Sequence, residues 1–226
     1  MATSMKMFIE IFHGNKWCYI GKINYVIPKD NTSPITCLAQ GELVDRNYLL
    51  NYIISGYCGD FAKSIGGVQL IDRHEIPTSG KNKCSKYILN TIDYDVQYDS
   101  FYNDSYVLLS ELFDIAKLEP FNLHGYIQND PSKYSIMMSV LPQIICDGVF
   151  DITNWVVPTT YMENNCDEEY KKYNYKFMNF QSKCITHFIE QIKDVIKSHV
   201  GSDIFDKENN IMIPPENIRI IFWYDE

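Results

Sequence analysis

The segment Met7-Phe8-Ile9-Glu10-Ile11-Phe12 is followed by His13-Gly14-Asn15-Lys16 and then by Trp17-Cys18-Tyr19-Ile20-Gly21-Lys22. β-branched and aromatic residues flank a Gly-Asn pair, the arrangement of two strands joined by a tight turn. Side chains alternate between the faces of a strand. Met7, Ile9 and Ile11 therefore share one face, and Trp17 and Tyr19 share one face of the return strand. A β-hairpin at the start of the chain sets the frame for everything downstream.

The end of the chain supplies a second strand. Ile218 to Tyr224 is apolar and follows Pro214-Pro215. Between the two lie helical patterns. Tyr48, Leu49, Tyr52 and Ile53 recur at helical spacing after Asp45, and Gly56 can end that helix. Ser110 to Ala116 reads as a short helix closed before Pro120. Residues 60–86 read mainly as loop, with a short strand near Val68 to Ile71. Tyr134 to Val157 reads as strand or buried irregular chain. From Asn165 or Asp167, Tyr170, Tyr173, Phe177, Phe180, Cys184, Phe188, Ile192 and Ile196 follow a period near 3.6 up to Gly201. This predicts a helix of about 32 residues, about 48 Å long, with a break near Asn174 or Asn179. The expected architecture is α+β: a mixed or antiparallel sheet built around the N-terminal hairpin and the C-terminal strand, with the long C-terminal helix packed on it. No repeat or linker divides the chain, so residues 1–226 are expected to form a single domain.

With 46% hydrophobic and 22% charged residues, the chain has globular composition. Its net charge of −9 opposes binding to nucleic-acid backbones and anionic membranes. No stretch approaches the ~20 apolar residues of a membrane helix, and the first residues lack the apolar core of a signal peptide. The seven Cys form no Cys-x-x-Cys pair, which argues against zinc and against a disulfide framework. Free thiols and a cytoplasmic setting are expected, with no cofactor and no metal. Usage rich in Asn, Ile, Lys and Tyr is that of an AT-rich genome: a phage, a large DNA virus or a low-GC bacterium.

Asp72-Arg73-His74-Glu75 could seat a general base, since carboxylates beside an imidazole orient it and raise its pKa. Such clusters are more commonly solvated. Asp93, Asp95 and Asp99 alternate oxygen ligands as a hard-cation site would, but without the glycine and terminal glutamate of a calcium loop. No Gly-x-Ser-x-Gly elbow and no phosphate loop is present.

Several short motifs recur in one order: the Met-Phe-Ile-Glu-Ile strand, the Gly-Asn-Lys-Trp turn, Arg46-Asn47-Tyr48, Ser105-Tyr106-Val107-Leu108-Leu109-Ser110-Glu111-Leu112, and a C-terminal Arg219-Ile220-Ile221-Phe222-Trp223-Tyr224-Asp225. This order resembles a widespread group of small proteins of tailed phages, a group without a settled activity. Its middle motif reads His-Ser-x-Ser-aromatic-Leu-Thr-Leu-x-Glu-Leu. Here Tyr102 stands at the His position and Leu108 at the helix-capping Thr position, so the acid–base power of that His is missing. The resemblance implies a ligand site made of Arg46, Asn47, Tyr48, Tyr102, Asn103, Ser105 and Tyr106, offering hydrogen bonds and stacking faces. Arg46 and Asn47 could instead tie down loops at a helix start.

Three functions follow as expectations. The first is a non-enzymatic accessory protein of a phage or virus that sequesters a host signalling nucleotide, as a homo-oligomer in the host cytoplasm. The second is a hydrolase or phosphodiesterase that cleaves such a nucleotide, with His74, Asp72 and Asp93 to Asp99 as candidates. The third is an acidic inhibitor that binds a basic groove on a host protein.

Overall fold

The computed structural model describes residues 4–22, 48–56, 63, 66–98, 101–129, 156–157 and 174–225. Their elements are β1 (Ser4–His13), β2 (Lys16–Lys22), α1 (Tyr48–Ser55), α2 (Lys86–Gln97), β3 (Tyr102–Leu108), α3 (Leu109–Ala116), β4 (Phe121–Asn129), β5 (Val156–Val157), β6 (Asn174–Ser182), α4 (Cys184–Val200) and β7 (Ile218–Asp225). The fold is α+β, with an N-terminal hairpin and an antiparallel sheet, as the patterning implies. The chain groups into two compact units, one within 1–24, 71–117 and 188–226, the other within 25–70 and 118–187.

The first unit holds a four-stranded sheet of order β2-β1-β7-β3. All its pairings are antiparallel. The β1–β2 turn places Gly14 at φ 59° and Asn15 at φ 63°, the positive pair that a two-residue hairpin turn needs. β7 lies between β1 and β3, so the last strand of the chain is central. Opposite β1 stand Phe222 against Met7, Ile220 against Ile9 and Ile218 against Ile11. All six are buried, and Ser105 and Val107 extend the same face onto β3. Fully burying side chains of this kind contributes roughly 1.5–3 kcal/mol each.

Helix α4 covers that face. A Cβ added at Gly21, which pairs with Ile9, would sit 2.8 Å from Val195 Cγ1 and 3.0 Å from His199 Cε1. Only glycine lets the helix approach β2 so closely. Phe188, Ile189, Ile192 and Ile196 form the buried stripe of the helix.

The other face of the sheet is buried too. Phe8, Ile221 and Trp223 pack with Ile76, Cys84, Ile88 and Ile92. Phe8 stacks on Trp223 with ring centroids 4.8 Å apart. Ile88, Ile92 and Asp95 lie on the inner face of α2, which begins at the Ser85 cap. Asp95 accepts hydrogen bonds from Trp223 Nε1 at 2.7 Å and Lys6 Nζ at 2.9 Å. This helix occupies the acidic, aromatic segment in which the sequence suggested a cation loop. Asp93 and Asp95 are helical, Asp95 is spent on Trp223 and Lys6, and Asp99 lies outside the described residues.

The second unit holds a three-stranded sheet of order β5-β4-β6. β6 pairs with β4 without a register shift, from Phe121 against Ser182 to Asn129 against Asn174. This corrects the long-helix expectation: 174–182 is strand, and the helix starts only at Cys184. Aromatic residues and Asn favour helix weakly, and pairing with a strand some fifty positions earlier overrides the helical period. Glu119 marks the new helix start, its carboxylate accepting from the backbone N–H of Ile185 and Thr186 at 2.7 and 3.0 Å. Gly56 ends α1 at φ 73°, its N–H donating to Tyr52 O at 2.9 Å. Residues 67–71 form no strand; Leu70 donates a single backbone bond to Ile53. Of the segment from Tyr134 to Val157, only the strand Val156–Val157 lies within the described residues.

Candidate functional site

The sequence around His74 folds as a strap against β3, an end strand of the first unit's sheet. Arg73 donates to the backbone oxygen of Asp104 at 2.7 Å and to its carboxylate at 2.6 Å. The next residue donates its backbone N–H to Ser105 Oγ at 3.0 Å. Arginine and serine thus fix the strap at two successive residues of the strand, and the imidazole is placed between them and α3.

The His74 ring stacks on Tyr106, with centroids 4.9 Å apart and planes 28° apart. Its Nε2 lies 2.8 Å from Glu111 Oε1. The side chains are 34% and 31% exposed, so the pair is open to a small molecule while being held from below. The second oxygen of Glu111 accepts the backbone N–H of Leu108 at 2.7 Å. Leu108 is the cap residue of α3 and has no side-chain acceptor. Only the glutamate half of a capping box is made, and that same glutamate orients the imidazole. When Nε2 donates to Glu111, Nδ1 is left as the acceptor, the state a general base requires.

The expectation that Asp72 or Glu75 would orient His74 is corrected here. Both are exposed, and the carboxylate that reaches the ring comes from α3, 37 positions further on. No local pattern could reveal the pairing, although Glu111 at the third position of a helix is visible as a capping residue.

Beneath the strap lies a buried charge network. Arg219 on β7 and Glu10 on β1 face each other across the central pair of strands. Arg219 Nε and Nη2 donate to Glu10 Oε2 at 2.9 and 2.6 Å. Nη1 donates to Asn82 O at 3.0 Å, and Glu10 Oε1 accepts the Ser85 N–H at 2.7 Å. The guanidinium also lies over the Trp17 ring at 4.0 Å and 5.7 Å from the Tyr106 ring centroid. The pair anchors the chain at 82–85 and supports Tyr106 from the side of the core. Cys84 sits in contact with it, and burial pushes its thiol up to about 12, with Arg219 opposing that rise and Glu10 adding to it. Cys84 is therefore a neutral packing group. One arginine and one glutamate, each inside an apolar strand, are the sequence signal for this network, because such charges persist in a core only when paired.

The expected ligand residues divide as follows. Ser105 is buried, with its hydroxyl holding the His74 backbone. Tyr106 is half-buried beneath the imidazole. Tyr102 and Asn103 are exposed at the start of β3, where Asn103 has φ 49° and the β3–β7 register shifts. Tyr48 opens α1 in the second unit, and Arg46 and Asn47 lie outside the described residues. Among the described residues, no three His, Cys, Asp or Glu side chains group to hold a metal ion. Cys18, Cys84 and Cys184 form no disulfide. No described helix is long and apolar enough to cross a membrane. Compared with known proteins, the chain matches no family model, no curated protein and no solved structure.

Proposed function

We propose that this chain is an accessory protein of a phage or virus that binds and sequesters a small nucleotide-like signalling molecule of its host. The observation that carries the reading is the half-open cluster of His74, Tyr106 and Glu111 with Arg73 and Asp104 beside it. Aromatic faces can stack a base. A half-exposed guanidinium can take a phosphate in exchange for Asp104, and the carboxylates can accept ribose hydroxyls. Exposed Tyr102 and Asn103 continue that surface along β3. The resemblance to small tailed-phage proteins supports the viral setting, and with it a cytoplasmic, homo-oligomeric binder. The test is calorimetry of the purified protein against a panel of cyclic and ADP-ribose-type nucleotides, beside native mass spectrometry of the protein as isolated from cells. Binding that is lost in His74→Ala and Tyr106→Ala supports the reading. A panel without a single binder and a protein without a retained small molecule sink it.

A second reading, cleavage of such a nucleotide, is favoured by one distance. The 2.8 Å contact between His74 and Glu111 is that of a base and its orienting carboxylate. Chromatography after long incubation would show products that disappear in both His74→Ala and Glu111→Gln. Intact nucleotide would rule the reading out.

A further inference from the structure

One flank of α2, continued by its cap residue Tyr98, carries tyrosines at helical spacing that the nucleotide reading does not use. Tyr87, Tyr94 and Tyr98 recur at i, i+7 and i+11 and so lie along one flank, about 100° round the helix from the buried Ile88, Ile92 and Asp95. Tyr87 is anchored at one end by stacking on Tyr19 at 4.1 Å. At the other end Tyr94 and Tyr98 are each 60% exposed, with ring centroids 4.7 Å apart and planes tilted by 45°. Two large rings held together in water mark an interaction surface more often than a packing defect.

The charge around them selects the partner. Asp93, one position before Tyr94, is exposed about 100° round the helix from it, and the last turn of α2 carries no basic residue. The negative end of the helix dipole is therefore left without a cation from its own helix, at the place where the two rings stand. Asp95 takes no part, because Lys6 and Trp223 already satisfy it. The whole chain adds a net charge of −9. Aromatic faces, an exposed carboxylate and a negative helix end together favour a cation with a planar or apolar surface, as arginine presents.

We propose that the C-terminal half of α2, through Tyr94, Tyr98 and Asp93, docks an arginine-rich segment of a partner protein. The experiment is fluorescence anisotropy with labelled nona-arginine as the probe, the full chain as the receptor and nona-citrulline as the uncharged control of equal shape. The wild-type protein should bind nona-arginine, more weakly as salt is raised, and should not bind nona-citrulline. Two exposed cation–π contacts predict that Tyr94→Ala/Tyr98→Ala loses roughly five- to thirtyfold in affinity. Asp93→Asn should lose severalfold. Asp203→Asn, an exposed acid on another element, should change little beyond the shared loss of one charge. Circular dichroism checks that these surface variants fold. Undiminished binding in the double variant, or equal loss in the Asp93 and Asp203 variants, would reduce the effect to net charge and overturn the proposal. So would equal binding of nona-citrulline, or no binding of nona-arginine. None of these outcomes depends on whether a nucleotide binds beside His74.

Discussion

Arg219 is 1% exposed and its partner Glu10 is 0% exposed. Replacing Arg219 with Met keeps an apolar chain against Trp17 but leaves the Glu10 carboxylate in the core with only the Ser85 N–H. Asn82 O loses its donor at the same time. Removing one partner of a buried pair costs about 3–5 kcal/mol, because the remaining charge is neither hydrated nor matched. At about 2–3 kcal/mol per molar urea for a chain of this size, the unfolding midpoint should fall by roughly 1–2 M. The melting temperature should fall by roughly 6–20 °C. Glu10→Gln should also destabilise, by stranding the guanidinium. The combination Glu10→Gln/Arg219→Met removes both charges and retains an acceptor for Ser85. Its cost should be smaller than the sum of the two single costs by about 2 kcal/mol. Urea titrations of the four proteins close the cycle. An Arg219→Met protein within ~1 kcal/mol of wild type, or strictly additive costs, would refute the claim that this pair pins residues 82–85 to the sheet.

Three further measurements probe the layers around that pair. Gly21→Ala would press a methyl group into Val195 and should cost about 1–3 kcal/mol in chemical denaturation, with Val195→Ala relieving part of the loss. Without that relief, the packing of α4 on β2 would be wrong. Asp95→Asn weakens two charge-assisted bonds and should cost about 1.5–3 kcal/mol, with the Trp223 indole N–H resonance moving upfield in an NMR spectrum. Cys84, with its thiol raised from 9.0 to about 12, should resist iodoacetamide at pH 8.5 in the folded protein and react once unfolded, as peptide mapping would show. Because the folded value is the higher one, the contribution of the protonated thiol is fully present below pH 9 and is lost as pH rises towards 12. Cys84→Ala should therefore lose less stability than wild type across that interval.

Much of the first unit can be read from local chemistry. Alternating side chains and a Gly-Asn pair able to take positive φ define β1, the turn and β2, because each depends on residues only a few positions apart. The same holds for the glycine that ends α1 and for the short helix α3. The apolar run at the C-terminus reads as a buried strand without knowledge of its neighbours. Other features depend on distance along the chain. The period that suggests one long helix is real from Cys184 onward. The aromatic stretch before it becomes β6 because β4 supplies a ladder of backbone partners that no local window contains. The α2 segment looks like an acidic loop until Trp223 and Lys6 arrive to satisfy Asp95. Glu10 and Arg219 are 209 positions apart, and His74 and Glu111 are 37 apart. Sequence alone determined which residues belong in a core, which turns are permitted and where charges are out of place. Tertiary structure decided which charge meets which, because insertion of β7 between β1 and β3 brings the two ends of the chain into register, and folding of the strap onto β3 brings the imidazole to its carboxylate.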